Sequence, residues 1–375
     1  MNFDFSDDQK LLKDQANKFL QDKCDLTVVR RILDGDELYE ADVWKGIVEM
    51  GWTGTTIPEE YGGIGLGHLE LCMIAEELGR SLAPVPFSSS VYLATEALLI
   101  AGSEDQKQKY LPALAAGEMI GTLALNEGTQ AATPRTIQAS FSGGKISGTK
   151  LPVPDGDIAN FALVAVKTGS GSDEGSISLA VVDLTGEGVS RAPVNTLDPT
   201  RNLSNITFNN APAELVGTEG SGWSTIRQVL DRAAVLTAFE QVGGADAALQ
   251  TAKEYALGRY AFGRPIASFQ AIKHKLADMY IKNELARSNS YYGAWALSTN
   301  APDLPAAAAG ARIAATDAFN FAAKENIQTH GGMGFTWEFD CHLFYRRAKL
   351  LSVSLGSALS WKDKLITELE KRNAA

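Results

Sequence analysis

The sequence is poor in the residues that build disulfide frameworks, metal centres and nucleic-acid surfaces. Its three cysteines, Cys24, Cys72 and Cys341, are odd in number and far apart, with no CxxC or Cys/His cluster among them. A disulfide scaffold is excluded, no metal is expected, and reduced thiols in a cytoplasm fit best. Basic charge is also short: 34 Lys and Arg stand against 45 Asp and Glu, for a net charge of −11. No nucleic acid and no anionic membrane is therefore expected as a partner, although a local arginine can still grip a phosphorylated ligand. No apolar run reaches bilayer-spanning length. The opening MNFDFSDDQKLL lacks the basic and apolar regions of a secretory leader.

What is present is 375 residues of ordinary globular composition, 45% hydrophobic and 21% charged, enough for two or three domains. Helical periodicity covers roughly 6–22, 40–51, 68–81, 90–101 and 104–116, and Ser6 followed by Gln9 reads as a capping box. Between about 121 and 217 short β-prone runs alternate with Gly-Gly, Ser-Gly and Asp-Gly turns. Helical periods return near 222–258, 268–298, 304–329 and 342–371, with Ser268 as a cap of the second and Gly331 as the stop of the third. The fold class is therefore α+β: a helical N-terminal domain (1–120), a middle antiparallel β domain (121–221) and a C-terminal four-helix bundle (222–375).

Three stretches could carry chemistry. In AAVLTAFEQVGGADAAL (233–249), Glu240 lies on the face shared by Ile226, Leu230, Ala233, Leu236, Ala247 and Ala248, where a carboxylate is out of place. Its helix neighbours Asp231 and Glu254 read as solvated. In GRYAFGRPI (258–266), Arg259 and Arg264 offer planar forks for a pyrophosphate or carboxylate, and Phe262 offers a stacking face. The same arginines could simply cap helix carbonyls and pair with surface acids. In QTHGGMGF (328–335), Gln328 offers an amide, while Gly331, Gly332 and Gly334 either let a backbone approach a ligand or merely end a helix. His330 is read as a packed residue, since no nucleophile motif accompanies it.

Taken together, GRxxFGRPI followed by QxHGGxGFT resembles the acyl-CoA dehydrogenase family. IPEEYGGIGLG, EELGRSLAPVP, EDQKQKYLPALAAGE and HGGMGFTWEFDCHLFYRRAKLL extend the resemblance through essentially the whole chain. It implies FAD, oxidation of an acyl-CoA thioester at its α,β bond, an acceptor resembling electron-transfer flavoprotein, and tetramers. It also implies that Arg259 and Phe262 meet the FAD pyrophosphate side across a subunit interface, and that Gln328, Gly331 and Gly332 line its ADP portion.

The chain departs from that pattern twice. Most relatives place the catalytic base in a YEGT-like segment, and here the segment reads SVSLGS (352–357), with Leu355 at the base position. Leucine cannot accept a proton. Some relatives carry the base on the first long helix of the C-terminal bundle, and Glu240 matches the AEQxGG segment of a branch that includes steroid side-chain dehydrogenases. Glu240 is thus the expected base, with Gly243 and Gly244 leaving room beside it; a structural pair with an arginine is the competing role. Second, the TEPGAGSD-like flavin segment reads LALNEGTQAATP (123–134), leaving Asn126 as the donor to the flavin ring. The branch includes tetramers of two subunit kinds. The expected partners are therefore copies of this chain or a homologous subunit, and the rival to an acyl-CoA dehydrogenase is a non-catalytic or half-site partner in a heterotetramer.

Overall fold

The computed structural model describes residues 5–374. In chain order the helices are α1 (Asp7–Lys23), α2 (Leu26–Asp34), α3 (Ala41–Glu49), α4 (His68–Arg80), α5 (Glu96–Ala101) and α6 (Glu104–Ala115). The strands β1 (Gly121–Ala124), β2 (Ser140–Ser142), β3 (Lys145–Pro154), β4 (Phe161–Lys167), β5 (Ile177–Asp183), β6 (Val189–Pro193) and β7 (Leu203–Val216) follow. The chain then runs through α7 (Gly222–Gly258), the hairpin β8 (Tyr260–Ala261) and β9 (Arg264–Pro265), α8 (Gln270–Ser298), α9 (Leu304–His330), α10 (Cys341–Leu351) and α11 (Ala358–Ala374). A β region between two helical parts is the α+β arrangement read from the sequence.

The residues group into two compact units that interleave along the chain. One gathers the N-terminal stretch to Asp34, His68–Ala83 and everything from Ala234 on; the other holds Gly35–Gly67 and Pro84–Ala233.

In the first unit, α1 starts where the sequence says it should. Ser6 Oγ accepts from Gln9 N at 3.2 Å and Gln9 Oε1 accepts from Ser6 N at 2.9 Å, so two otherwise orphaned donors are satisfied. Further along α1, Lys13 reaches Glu76 of α4 at 2.7 Å, and Arg287 of α8 reaches the same carboxylate at 2.5 Å. Burial pushes the Glu76 carboxyl up, but Arg287 and Lys13 outweigh it and hold the group below its ordinary value. Between α7, α8 and α9 the core is built from small side chains: Ala238, Val242, Ala286, Ala311, Ala315 and Ala318 form one buried cluster. Alanine stubs let helix backbones approach, and alanine has the best helix propensity.

Two boundaries differ from expectation. The predicted helix over 342–371 is two helices, because residues 352–357 turn: Gly356 adopts φ 101° and the serines bond locally. Ser352 Oγ donates to Lys349 O at 2.7 Å, and Ser357 Oγ accepts from Ser360 N at 3.1 Å. Such local bonds compete with helix continuation. Ser268 does not cap α8; it ends a short 3₁₀ turn, and Phe269 occupies the cap position without a side-chain bond.

In the second unit a seven-stranded sheet forms among the described residues. The pairings β4–β5, β5–β7, β7–β3, β3–β2 and β2–β4 close into a ring, with β1 alongside β4 and β6 alongside β7. The sheet is antiparallel except that β1 and β2 run parallel to β4. Phe161 to Val166 of β4 are all buried, which explains why that strand reads as a continuous apolar run. Ahead of α5, Ser88–Thr95 winds as a π-helix, and Thr95 Oγ1 donates to the carbonyl of Ser90, five residues back, at 2.9 Å.

Candidate functional site

Glu240 has no solvent exposure. The glycines after it do not leave a space. A Cβ on Gly243 would sit 1.9 Å from Glu76 O, and one on Gly244 would sit 2.5 Å from the Phe319 ring. On the facing helix, a Cβ on Gly79 would lie 1.9 Å from Glu240 O. Gly243 and Gly79 let α4 and α7 touch backbone to backbone, Gly244 seats the Phe319 ring of α9, and the room expected beside Glu240 is filled. Asp231, read as solvated, is buried; Glu254 is exposed as expected.

A second charge accompanies Glu240. Arg312 of α9 is 1% exposed and donates to Gln241 Oε1, to Thr316 Oγ1 at 3.1 Å and to the carbonyl of Leu351, which ends α10. Gln241 Nε2 in turn donates to Thr316 Oγ1 at 3.2 Å. Burial lowers the Arg312 pKa to about 10, and the Glu240 carboxylate opposes that fall. Sequence reading missed Arg312, although a lone cation in PAAAAGARIAATDAF is the same signal that exposed Glu240. Leu355 lies four residues past Leu351, and its carbonyl accepts from Trp361 Nε1 at 3.1 Å.

The ends of α7 and α9 are brought together by aromatic contact. Tyr255 stacks on His330 with centroids 4.0 Å apart, and Phe339 meets both rings edge-on. His330 Nδ1 lies 2.9 Å from Asn326 O, and burial lowers the ring's pKa, so this histidine is packed, as the sequence reading had it. Beyond the stack, Arg259, Gln328, Gly331 and Gly332 are exposed, and Phe262 is 95% exposed at φ 53°. Arg264 lies over the Phe269 ring at 4.1 Å. A Cβ built on Gly331 or Gly332 meets nothing within 4 Å, whereas one on Gly334 would hit Ile327 O at 2.4 Å. Gly334 thus serves the fold, Gly331 supplies φ 61°, and the first two glycines leave their backbone open to approach.

In the second unit Asn126 sits on a strapped segment. Asn126 O accepts from Leu151 N at 2.8 Å, and Gly128 N donates to Leu151 O at 2.9 Å. Lys150, fully buried, donates to Glu127 Oε1 at 2.7 Å and to Leu125 O at 3.2 Å. The same Glu127 accepts from the backbone amides of Gln138 and Ala139 at 2.7 and 2.9 Å. Burial lowers the Lys150 pKa to about 8 against the pull of Glu127.

Two further features bound the chemistry. A cavity of about 400 Å³ in the first unit is lined by Leu20, Glu77, Arg80, Gln250, Glu254 and Phe344 among others; Glu240 and the glycine turn do not line it. No group of His, Cys, Asp and Glu among the described residues could hold a metal ion, and no described helix is long and apolar enough to cross a membrane.

Comparison with known proteins decides the family. A family model described as acyl-CoA dehydrogenase, N-terminal domain, matches residues 6–118, and one described as acyl-CoA dehydrogenase, C-terminal domain, matches residues 220–358. Acyl-CoA dehydrogenase IpdE2 of Mycobacterium tuberculosis (strain ATCC 25618 / H37Rv) is 33% identical over 343 residues, covering 91% of each chain. The chain belongs to the acyl-CoA dehydrogenase family. It is accordingly an oxidoreductase of the class acting on CH–CH bonds. Among solved structures, the Tcur3481–Tcur3483 steroid ACAD matches with a TM-score of 0.88 at 28% identity, covering 98% of this chain and 99% of that one. The ChsE4–ChsE5 complex from Mycobacterium tuberculosis also matches at 0.88, with 26% identity and 99% of each chain covered. The resemblance to the steroid-type branch of the acyl-CoA dehydrogenases stands on these matches.

Proposed function

We propose that the chain removes hydrogen from the α,β bond of an acyl-CoA thioester, with Glu240 taking the α proton. The observation that carries this reading is Glu240 itself: a carboxylate with no solvent exposure, in an apolar run, in a chain whose Leu355 cannot act as a base. A dry, fixed environment strengthens every interaction with charge developing on a substrate.

The exposed residues at the ends of α7 and α9 fit a flavin dinucleotide. Arg259 and Phe262 would hold its pyrophosphate side; Gln328 and the open backbone of Gly331 and Gly332 would hold its ADP portion. Asn126, on its strapped segment, would donate to the ring. FAD, when bound, supplies the acceptor for hydride leaving the β carbon. The electrons would pass to an acceptor like electron-transfer flavoprotein, and the assembly would be a tetramer of this chain or of this chain with a homologue. The steroid ACAD match favours a bulky substrate, such as a steroid side-chain thioester.

Arg312 favours a second reading. A cation acting on Glu240 suits a structural carboxylate, and the altered 123–134 segment suits a subunit that lends only the α7 and α9 ends to a flavin completed by a homologue. One variant separates the two. Glu240→Gln should keep flavin content and melting temperature while anaerobic flavin reduction by acyl-CoA slows about 10²–10⁴-fold, the usual cost of losing a general base. Unchanged reduction with a lowered melting temperature assigns Glu240 to structure. Purified chain that is colourless until a homologue is co-expressed supports the partner subunit.

A further inference from the structure

Arg312 has no role in the reading above except as a charge near Glu240, yet its guanidinium spans three helices. It holds Gln241 of α7, the residue after Glu240; it holds Thr316 on its own helix; and it holds the carbonyl of Leu351, where α10 stops. The turn after α10 is pinned at both ends. Leu351 O also accepts from Ser354 Oγ at 3.2 Å, and Leu355 O accepts from the buried Trp361 indole at 3.1 Å. Within the turn, Val353 N donates to Leu350 O and Gly356 N donates to Val353 O, each at 3.2 Å.

We propose that Arg312 is a positioning residue: by gripping Gln241 and the carbonyl of Leu351 together, it fixes the Leu355 turn relative to Glu240. The geometry suits arginine in particular. Its fork presents several rigid donors, so one side chain serves two acceptors on different helices, which a lysine ammonium on a flexible stem does poorly. The grip is also dry, so loss of the guanidinium leaves Leu351 O with Ser354 Oγ alone and Gln241 Oε1 with Thr316 Oγ1 alone, and no bond then links the two acceptors. The functional half of the proposal rests on Glu240 as base; the mechanical half does not.

The test uses the purified flavin-loaded protein, with a homologous subunit if one is needed for loading, in Arg312→Met and Arg312→Lys forms. Two quantities are read: hydrogen exchange of the amides at 353–357, and the kinetics of flavin reduction by butanoyl-CoA and cyclohexanecarbonyl-CoA. In Arg312→Met, exchange at Val353 and Gly356 should rise about tenfold or more over the change seen in α8. The limiting reduction rate should fall about tenfold or more, with KM moving less than about threefold. Arg312→Lys should recover part of both. Exchange at 353–357 that does not move beyond the rest of the bundle overturns the grip. Faster exchange with an unchanged rate per bound flavin overturns its link to the reaction. If Glu240→Gln reduces flavin normally, the base assignment fails while the exchange result still decides the grip. Should Arg312→Met not fold, Glu240→Gln/Arg312→Met removes both charges and carries the exchange measurement.

Discussion

Lys150 and Arg312, a buried cation from each unit, solve the same problem differently. Lys150 rests mainly on a single carboxylate, Glu127, with one backbone carbonyl in addition. Arg312 distributes its donors over a side-chain amide, a hydroxyl and a peptide carbonyl, and the Glu240 carboxylate acts on it electrostatically. The ammonium is the more titratable of the two: burial brings Lys150 to about 8, within reach of mild alkali, whereas Arg312 stays near 10. The lysine knot is a charge pair that happens to strap a loop; the arginine knot is a hydrogen-bonded joint that happens to carry charge. Each can be broken in a way that leaves the other intact.

The largest effect on stability should come from Lys150→Met. It strands Glu127 with two backbone donors but no cation, and breaking a buried pair from one side typically costs about 3–5 kcal/mol. Denaturant midpoints should fall, and Glu127→Gln/Lys150→Met should regain much of the loss. A smaller fall for Lys150→Met than for Arg312→Met would reverse the ranking of the two knots.

The pH dependence sharpens the contrast. The Lys150 pKa is about 8 when folded, against an ordinary lysine value of 10.5. Between those values the unfolded chain binds the extra proton, so the stability contributed at this site rises with pH through the window and is flat below and above it. The gain is bounded by about 3 kcal/mol, the free-energy equivalent of the shift. Urea titrations of wild type and Lys150→Met from pH 7 to 10.5 should diverge as pH rises, because only wild type gains stability through the window; parallel curves would remove lysine titration from the account. Arg312 should contribute no slope below about pH 9.

The smallest effect should come from Trp361→Phe. It keeps an aromatic ring in place of the indole but loses the N–H bond to Leu355 O, a bond worth about 1 kcal/mol. Thermal melting should shift by a few degrees at most. Local exchange at 353–357 should respond more than global stability does.

Much of this was legible in the chain, and the failures share a cause. Helical periodicity located α1, α4, α6, α7 and α9, and the Ser6–Gln9 box marked the start of α1. α2 escaped notice because it follows α1 after two residues and starts from Asp25, whose carboxylate accepts from Thr27 N and Val28 N. The break at 352–357 escaped because a serine run is compatible with a helix until its hydroxyls choose local carbonyls. The oddity of Glu240 was visible, but its surroundings were not. Gly243 looks the same on paper whether it leaves a void or admits a backbone, and only the position of α4 decides. Arg259, Phe262, Gln328, Gly331 and Gly332 are exposed, on turns punctuated by glycine and proline at the ends of long helices; their flavin role stands on the family resemblance.

The buried thiols have a practical consequence. Cys24, Cys72 and Cys341 are each at most 1% exposed, and burial raises Cys72 and Cys341 above their ordinary pKa. Maleimide chemistry should therefore find almost nothing to attack in the native protein. One cysteine introduced at Gln328 would become a bright, site-specific handle, and protection of that handle by an added dinucleotide would report occupancy of the glycine turn without any turnover assay.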